Sequence, residues 1–427
     1  MSDNEDEVTP LESFPTEILS HIFTFLPAKQ LTKCREVCIR WKNVIDTLNK
    51  YHSLWYKFCG KDFKNVYKFA HRLSRPQITW HELYRSLTLW RQLHLARQHY
   101  DEFASATTVA SEIQGFRYLR NGTAGVHTKA GVVYYDLDTL QRSKRAVIYG
   151  DYNRYVETDD TVLLMNSNLH LFITRKLIRS PKHIASISHD NCKLFYVIDN
   201  VVYYVSLNES IYAVYLSDKE LKSHFLVQST EGIICLGHTG KNLNIITLER
   251  NIYTLIGHEL QLQCTITEES NLLHEFNKYN LFDHFDWRVY IQWMFALCFK
   301  LPEGPLRDIV TVRSYGDIFF VGSDWGVLRI YHSPFTNGEL DFMNHMPLKQ
   351  YNFMERSDCP VLSVCPIIEI EVMEIVDGHI IMVAMPKKVA VLTFSHCFKR
   401  AASIAMFSNS NLQRVKFLKI EEEVGAI

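Results

Sequence analysis

Residues 11–55 read LESFPTEILSHIFTFLPAKQLTKCREVCIRWKNVIDTLNKYHSLW. Ser13, Pro15 and Glu17 supply a polar cap, an early proline and an acidic first turn, which together mark a helix start. Ile18, Leu19, Ile22, Phe23, Phe25 and Leu26 then recur at three- and four-residue intervals, on one broad apolar face. Pro27 lacks the amide that a helix interior needs and stops the run. A second helix is expected from about Gln30, with Leu31, Cys34, Val37, Cys38, Trp41 and either Val44 or Ile45 on its inner side. The segment carries more large apolar side chains than helices this short can bury among themselves. A surplus of that kind requires a neighbour.

Read in order, Phe14-Pro15, Glu17-Ile18-Leu19, Ile22-Phe23, Leu26-Pro27, Leu31, Val37-Cys38, Trp41 and Leu54-Trp55 follow a known pattern. Over about a tenth of the chain it resembles an F-box, the adaptor-binding module of SCF ubiquitin ligases. Phe14 stands where leucine is commoner in that family. The resemblance implies that Pro15, Ile18, Leu19, Ile22, Leu26, Leu31, Val37 and Cys38 line the surface that grips a Skp adaptor, with the cullin scaffold beyond it. It also implies that Trp41 and Trp55 hold the module's own core. Periodicity alone leaves another reading open, a three-helix cap whose stripe is simply the core of a larger domain. Cys34 and Cys38 stand one helical turn apart, but no second ligand pair lies nearby, so no metal site is expected.

A chain of 427 residues exceeds one compact core and implies two or three domains. Its formal net charge of −1 gives no global steering toward nucleic acid or membranes. Ten cysteines are scattered without a Cys-x-x-Cys pair, which fits free thiols in a reducing compartment better than a disulfide framework. The start, MSDNEDE, is acidic where a secretory leader needs a basic region. The densest apolar run, 289–299, is interrupted by Gln292 and too short to span a bilayer. A soluble cytoplasmic or nuclear protein is expected.

Residues 1–10 form an acidic tail expected to be disordered, 11–60 the F-box-like module, and 61–104 a helical linker. In the linker, Trp80, Leu83, Tyr84, Leu87 and Trp90 repeat at helical spacing. Thr79-Trp-His-Glu-Leu-Tyr resembles the linker that follows the F-box in proteins that also carry a propeller. Residues 29–99 hold 15 Lys and Arg against 4 Asp and Glu, which leaves open an RNA contact. The aromatics fall at core spacing and no nucleic-acid signature is present, which favours a solvated basic helix face.

From about Ala104 the pattern changes to period-two alternation, β-branched residues and Tyr or Phe. Hairpins recur at 162–174, 194–207, 243–256, 318–331 and 380–394, and 131–137 looks like half of another. Two units, 131–139 and 321–331, resemble degenerate WD repeats with Tyr where the repeat's Trp stands. Residues 105–427 are therefore expected to form a WD-like β-propeller, at roughly 40–45 residues per blade one of seven blades, with one blade from 258–305. Six or eight blades, a pair of β-sandwiches or a mixed β domain remain as alternatives. The fold class expected is α+β multidomain: a small all-α F-box and helical linker followed by an all-β propeller.

Catalytic signatures are missing. There is no GxGxxG, P-loop or GxSxG, and the His-Glu steps at His81, His258 and His274 have no second His at metal spacing. His183 and His189 stand alone, Asp159-Asp160 and Asp283 with Asp286 lie in turn-like contexts, and Cys359 and Cys365 read as small core residues. No cofactor is expected. The resemblance implies a non-catalytic substrate receptor of a ubiquitin ligase complex, whose propeller loops hold a protein target. Arg120, Arg154, Arg175 and Arg250, read as turn residues, are candidates to meet an acidic or phosphorylated target segment. Two other functions stay open: a non-degradative F-box scaffold, and an RNA-associated propeller protein using the basic linker.

Overall fold

The computed structural model describes residues 14–64, 66–74, 78–119, 122–176, 186–216, 221–267, 272–282, 309–332, 346–354 and 365–396. The chain opens with helices α1 (Thr16–Phe25), α2 (Ala28–Val37), α3 (Ile39–His52), α4 (Leu54–Asp62), α5 (Tyr67–Leu73) and α6 (Trp80–Leu89). Pro15 and Pro27 cap α1 and α2, and their carbonyls accept the Leu19 and Leu31 amides at 3.1 and 3.0 Å. The single helix expected from Gln30 is two helices. Cys38 is extended (φ −154°, ψ 164°), and its Sγ accepts the Trp41 amide at 3.5 Å, the task usually given to Ser, Thr or Asp. Thr79 and Glu82 form a capping box that starts α6, with Glu82 N donating to Thr79 Oγ1 at 3.2 Å and Thr79 N to Glu82 Oε2 at 2.8 Å. Among the described residues no helix is long and apolar enough to cross a membrane.

Within the span assigned to the helical linker, Arg97–Phe103 is a strand rather than helix. Only Phe103 of its side chains is buried, so it reads as polar, but it pairs antiparallel with Lys388–Ser395 from Arg97↔Ser395 to Phe103↔Val389. The described strands make six four-stranded antiparallel sheets. Five are meanders at 113–149, 152–189, 192–228, 233–265 and 309–352. The sixth joins 369–395 to Arg97–Phe103 as its outermost strand. Inner strands sit side by side: Ile113–Leu119 touches both Tyr152–Glu157 and Glu369–Ile375, and Ile309–Tyr315 touches Glu369–Ile375. Sequential meanders packed around an axis, with the first strand zipped onto the last sheet, are a β-propeller.

The five hairpins expected from alternation are all present. Between the sheets at 233–265 and 309–352 lies α7 (Leu272–Lys278), and Phe276, Leu281 and Phe282 pack with Ile246 and Ile252 on one side and Ile309 and Phe319 on the other. The further unit expected around 290–299 lies outside the described residues. One feature repeats. Near the start of five inner strands the register slips, at Ile113/Gly115, Tyr152/Arg154, Cys192/Leu194, Ile233/Cys235 and Ile309/Thr311. Such bulges re-aim side chains at the point where the strand enters the channel.

Gly131 shows how tightly one turn is made. It has φ +135°, and a Cβ there would meet Ile148 O at 2.0 Å. Gly131→Ala is expected to cost roughly 1–3 kcal/mol, read as a lower thermal unfolding midpoint. An unchanged midpoint would contradict this turn geometry.

Helices and propeller share one core. It runs from Leu19, Phe23 and Trp55 through Leu83 and Trp90 to Tyr315, Phe320, Ile381 and Phe394. Its polar centre is Glu374, fully buried, which accepts from Trp90 Nε1 at 2.7 Å, from Ser86 Oγ, and from His379 Nδ1 at 2.8 Å. The His379 ring stacks on Trp90 at 3.9 Å. Burial pushes the Glu374 carboxyl up, but the charge and hydrogen bond of His379, with the Ser86 and Trp90 donors, outweigh it and hold the carboxyl below its ordinary value. At the edge of this junction Arg85 pairs with Asp377 at 2.9 Å and Arg91 with Asp317 at 3.6 Å.

Candidate functional site

The residues of α1 divide between two faces. Leu19 and Phe23 are buried and Leu26 half-buried, while Ile18, Ile22 and Phe25 point out one position earlier on each turn. Of the eight residues assigned to the adaptor surface, Leu19 (1% exposed) and Leu31 (0%) are therefore corrected to core positions, packed with Val44, Ile45 and Trp55. Helix α3 covers them, which the family pattern does not reveal. Ile18 (48%), Ile22 and Val37 (63%) are exposed, as is Pro15, and Leu26 and Cys38 are half-buried. Phe25 and Ile39 are more exposed still and were not among the eight. Their signal was available: α1 carries apolar residues on two faces, and one core can take only one. The Arg40 guanidinium donates to Phe14 O and ties the start of α3, with Ile39, to the start of α1. Burying each such side chain fully stabilises a complex by ~1.5–3 kcal/mol.

The basic linker turns its aromatics inward. Tyr84 and Trp90 are buried, and Trp80 stacks on the His71 ring at 3.8 Å. Arg35 holds Asp46 through Nε at 2.9 Å and Nη2 at 3.2 Å. Next to it His81, edge-on to Trp55, accepts from Arg35 Nη1 at 3.3 Å. Burial, and then the Arg35 and Arg85 charges, push His81 down to about 4. Unfolded, it titrates near 6.5. Between those values the unfolded chain binds a proton that the folded chain excludes, so stability falls as pH drops from 6.5 toward 4. The loss from this group is expected to reach up to about 1.4 kcal/mol per pH unit. Thermal unfolding across that window should show a shallower acid slope in His81→Gln. An unchanged slope would contradict the burial of this ring.

At the propeller axis is a cavity of about 600 Å³ lined by Arg117, Arg154, Arg313, His127, Thr311 and Glu369, among others. Arg117 Nη1 lies 2.7 Å from Glu369 Oε1 and 3.0 Å from Glu371 Oε1, and Arg313 Nη2 lies 3.7 Å from Glu371 Oε2. Glu369 also accepts the Phe116 amide at 2.9 Å, while burial pushes its carboxyl up. Arg154 differs. Its guanidinium sits over the Phe195 ring at 4.3 Å, and its buried Nη2 has no hydrogen-bond partner among the described residues. Burial, then repulsion from Arg117, lowers it to about 10.

Arg154 was expected at a turn. It instead follows the bulge of an inner strand, which aims it into the cavity. Arg175 ends the strand Leu171–Arg175, opposite Thr161, and Arg250 occupies a turn at φ +69°. Neither lines the cavity. Arg120 lies outside the described residues. Arg117 and Arg313 were missed, although each is the one charged residue of its strand, Ile113–Leu119 and Ile309–Tyr315.

Residues 11–61 match the family described as F-box-like. No curated protein matches the chain in sequence. Among solved structures, similarity is recorded to the computationally designed Ika8 protein, at 10% identity over 66% of this chain and 83% of that one, with a TM-score of 0.38. The N-terminal domain of Nup159 is similar at 10% identity over 70% and 96%, TM-score 0.38. Kluyveromyces lactis Hsv2 is similar at 10% identity over 65% and 78%, TM-score 0.33. The chain thus joins an F-box-like domain at its N-terminus to a β-propeller defined by its own sheet order.

Proposed function

We propose that this protein is the substrate-recognition subunit of an SCF-type E3 ubiquitin ligase: the F-box-like domain binds a Skp adaptor, and a propeller of degenerate WD repeats holds a protein target for ubiquitination. One observation carries the reading. An F-box-like domain whose core is already filled by Leu19, Phe23, Leu31 and Trp55 still presents Ile18, Ile22, Phe25, Val37 and Ile39 to solvent. An outward apolar face beside a complete core fits a helical partner better than it fits solvent. The shared core around Trp90 and Glu374 supports the second half of the reading, because a receptor works by fixing its target relative to the adaptor. Its contribution is position, and the bond chemistry belongs to its partners.

Capture by the full chain of adaptor together with cullin is the expected result of affinity purification. Adaptor without cullin would support the scaffold reading instead, and capture of neither would overturn the proposal.

A further inference from the structure

The axial channel is closed at one end. Phe69 of α5 lies against Tyr315 at 6.4 Å and beside the Arg313 guanidinium at 5.4 Å, and Leu73 packs onto the cluster of Phe116 and Met373. The linker's ion pairs, Arg85 with Asp377 and Arg91 with Asp317, fall at the turns between first and second strands of two sheets, which is the same end. The cavity residues Gln114, Arg154, Thr311 and Ile367 lie at or just before the starts of inner strands, which is the other end. Arg154 therefore lies toward the face away from the F-box-like domain.

Among the described residues the charges at the cavity are unevenly distributed. Arg117, Arg154 and Arg313 face Glu369 and Glu371, and both carboxylates lie on the Arg117 and Arg313 side. Arg154 has an aromatic platform on one face and a buried Nη2 without an acceptor among the described residues. Glu369 attracts Arg154 but is paired with Arg117, so the buried Nη2 keeps no acceptor among the described residues, and a planar carboxylate or a phosphate is the acceptor whose geometry its fork matches. The volume, about 600 Å³, lies in the usual range for small-molecule sites.

We propose that the central cavity binds a small free anion bearing carboxylate or phosphate groups, gripped by Arg154 with Arg117 and Arg313 beside it. The site stands independently of adaptor binding, so it can fail while the ligase reading holds, and the reverse.

The test uses the full chain with citrate and inorganic phosphate as probes, read by thermal shift and titration calorimetry against sodium chloride of matched ionic strength. Saturable stabilisation by at least one probe beyond the chloride control is expected. Arg154→Met should weaken it at least tenfold. That variant should fold, since it removes a buried charge and keeps the length of the stem. Arg154→Lys, which keeps the charge but loses the fork, should weaken it less, and Arg250→Gln, away from the cavity, should leave it unchanged. No response of the wild type to either probe beyond chloride overturns the proposal, as does a full response in Arg154→Met. Binding of a phosphorylated peptide without binding of either free anion also overturns it, and assigns the cavity to a target side chain instead.

Discussion

Ile18→Asp with Ile22→Asp is expected to abolish adaptor capture while leaving thermal unfolding of the full chain nearly unchanged. Both side chains already face water, so the substitutions should change stability by no more than roughly 0.5 kcal/mol each. In a complex the same pair would lose ~1.5–3 kcal/mol of burial apiece, and two carboxylates would have to be desolvated besides. The affinity should fall by at least about 100-fold. Val37→Asp should act in the same direction. Leu19→Asp or Leu31→Asp makes the opposite comparison, because each places a charge inside the core and should unfold the helical domain before any binding question arises. If the Ile18 and Ile22 double variant captured adaptor at wild-type strength, the outward face of α1 would not be the contact.

Glu374→Ala is expected to have the largest effect on the propeller side, a loss of ~3–5 kcal/mol, because it strands the buried donors of Trp90 and His379, while Ser86 keeps Gly378 O as an acceptor at 2.8 Å. Trp90→Ala should cost a similar ~3–5 kcal/mol by opening a cavity between α6 and the last two sheets. Replacing Glu374 and His379 together by leucine should recover part of the first loss, since it removes the stranded His379 donor while the Trp90 Nε1 donor stays unpaired. The Glu374 carboxyl titrates below its ordinary 4.5 in the fold, so its stabilisation is complete at neutral pH and is lost as pH falls through the folded value. Urea unfolding of the three variants at pH 7 reads these differences. A Glu374→Ala chain as stable as wild type would show that this network does not hold the helices to the propeller.

What the sequence revealed and what it hid follow from the range of each interaction. Helix α1 and the five hairpins are local patterns, legible from spacing alone. The break at Cys38 was hidden because the apolar spacing runs on through it and cysteine is not a usual cap. The strand Arg97–Phe103 was hidden because its partner, Lys388–Ser395, lies at the far end of the chain and its own residues are mostly polar. Which apolar residues of the F-box-like segment face outward depends on where α3 packs, so the motif could name Leu19 and Ile18 together but not separate them. Arg154 was read as a turn residue because a bulge leaves no mark in alternation, and it is the bulge that turns it toward the channel.

Titration of the full chain with purified Skp adaptor, by calorimetry at several temperatures, tests the central claim most directly. The expected result is a one-to-one complex with a negative heat-capacity change, the mark of apolar burial, that disappears in the Ile18→Asp, Ile22→Asp variant. A wild-type chain that is folded and gives no binding would contradict the account, and the outward apolar face of α1 would then need another partner.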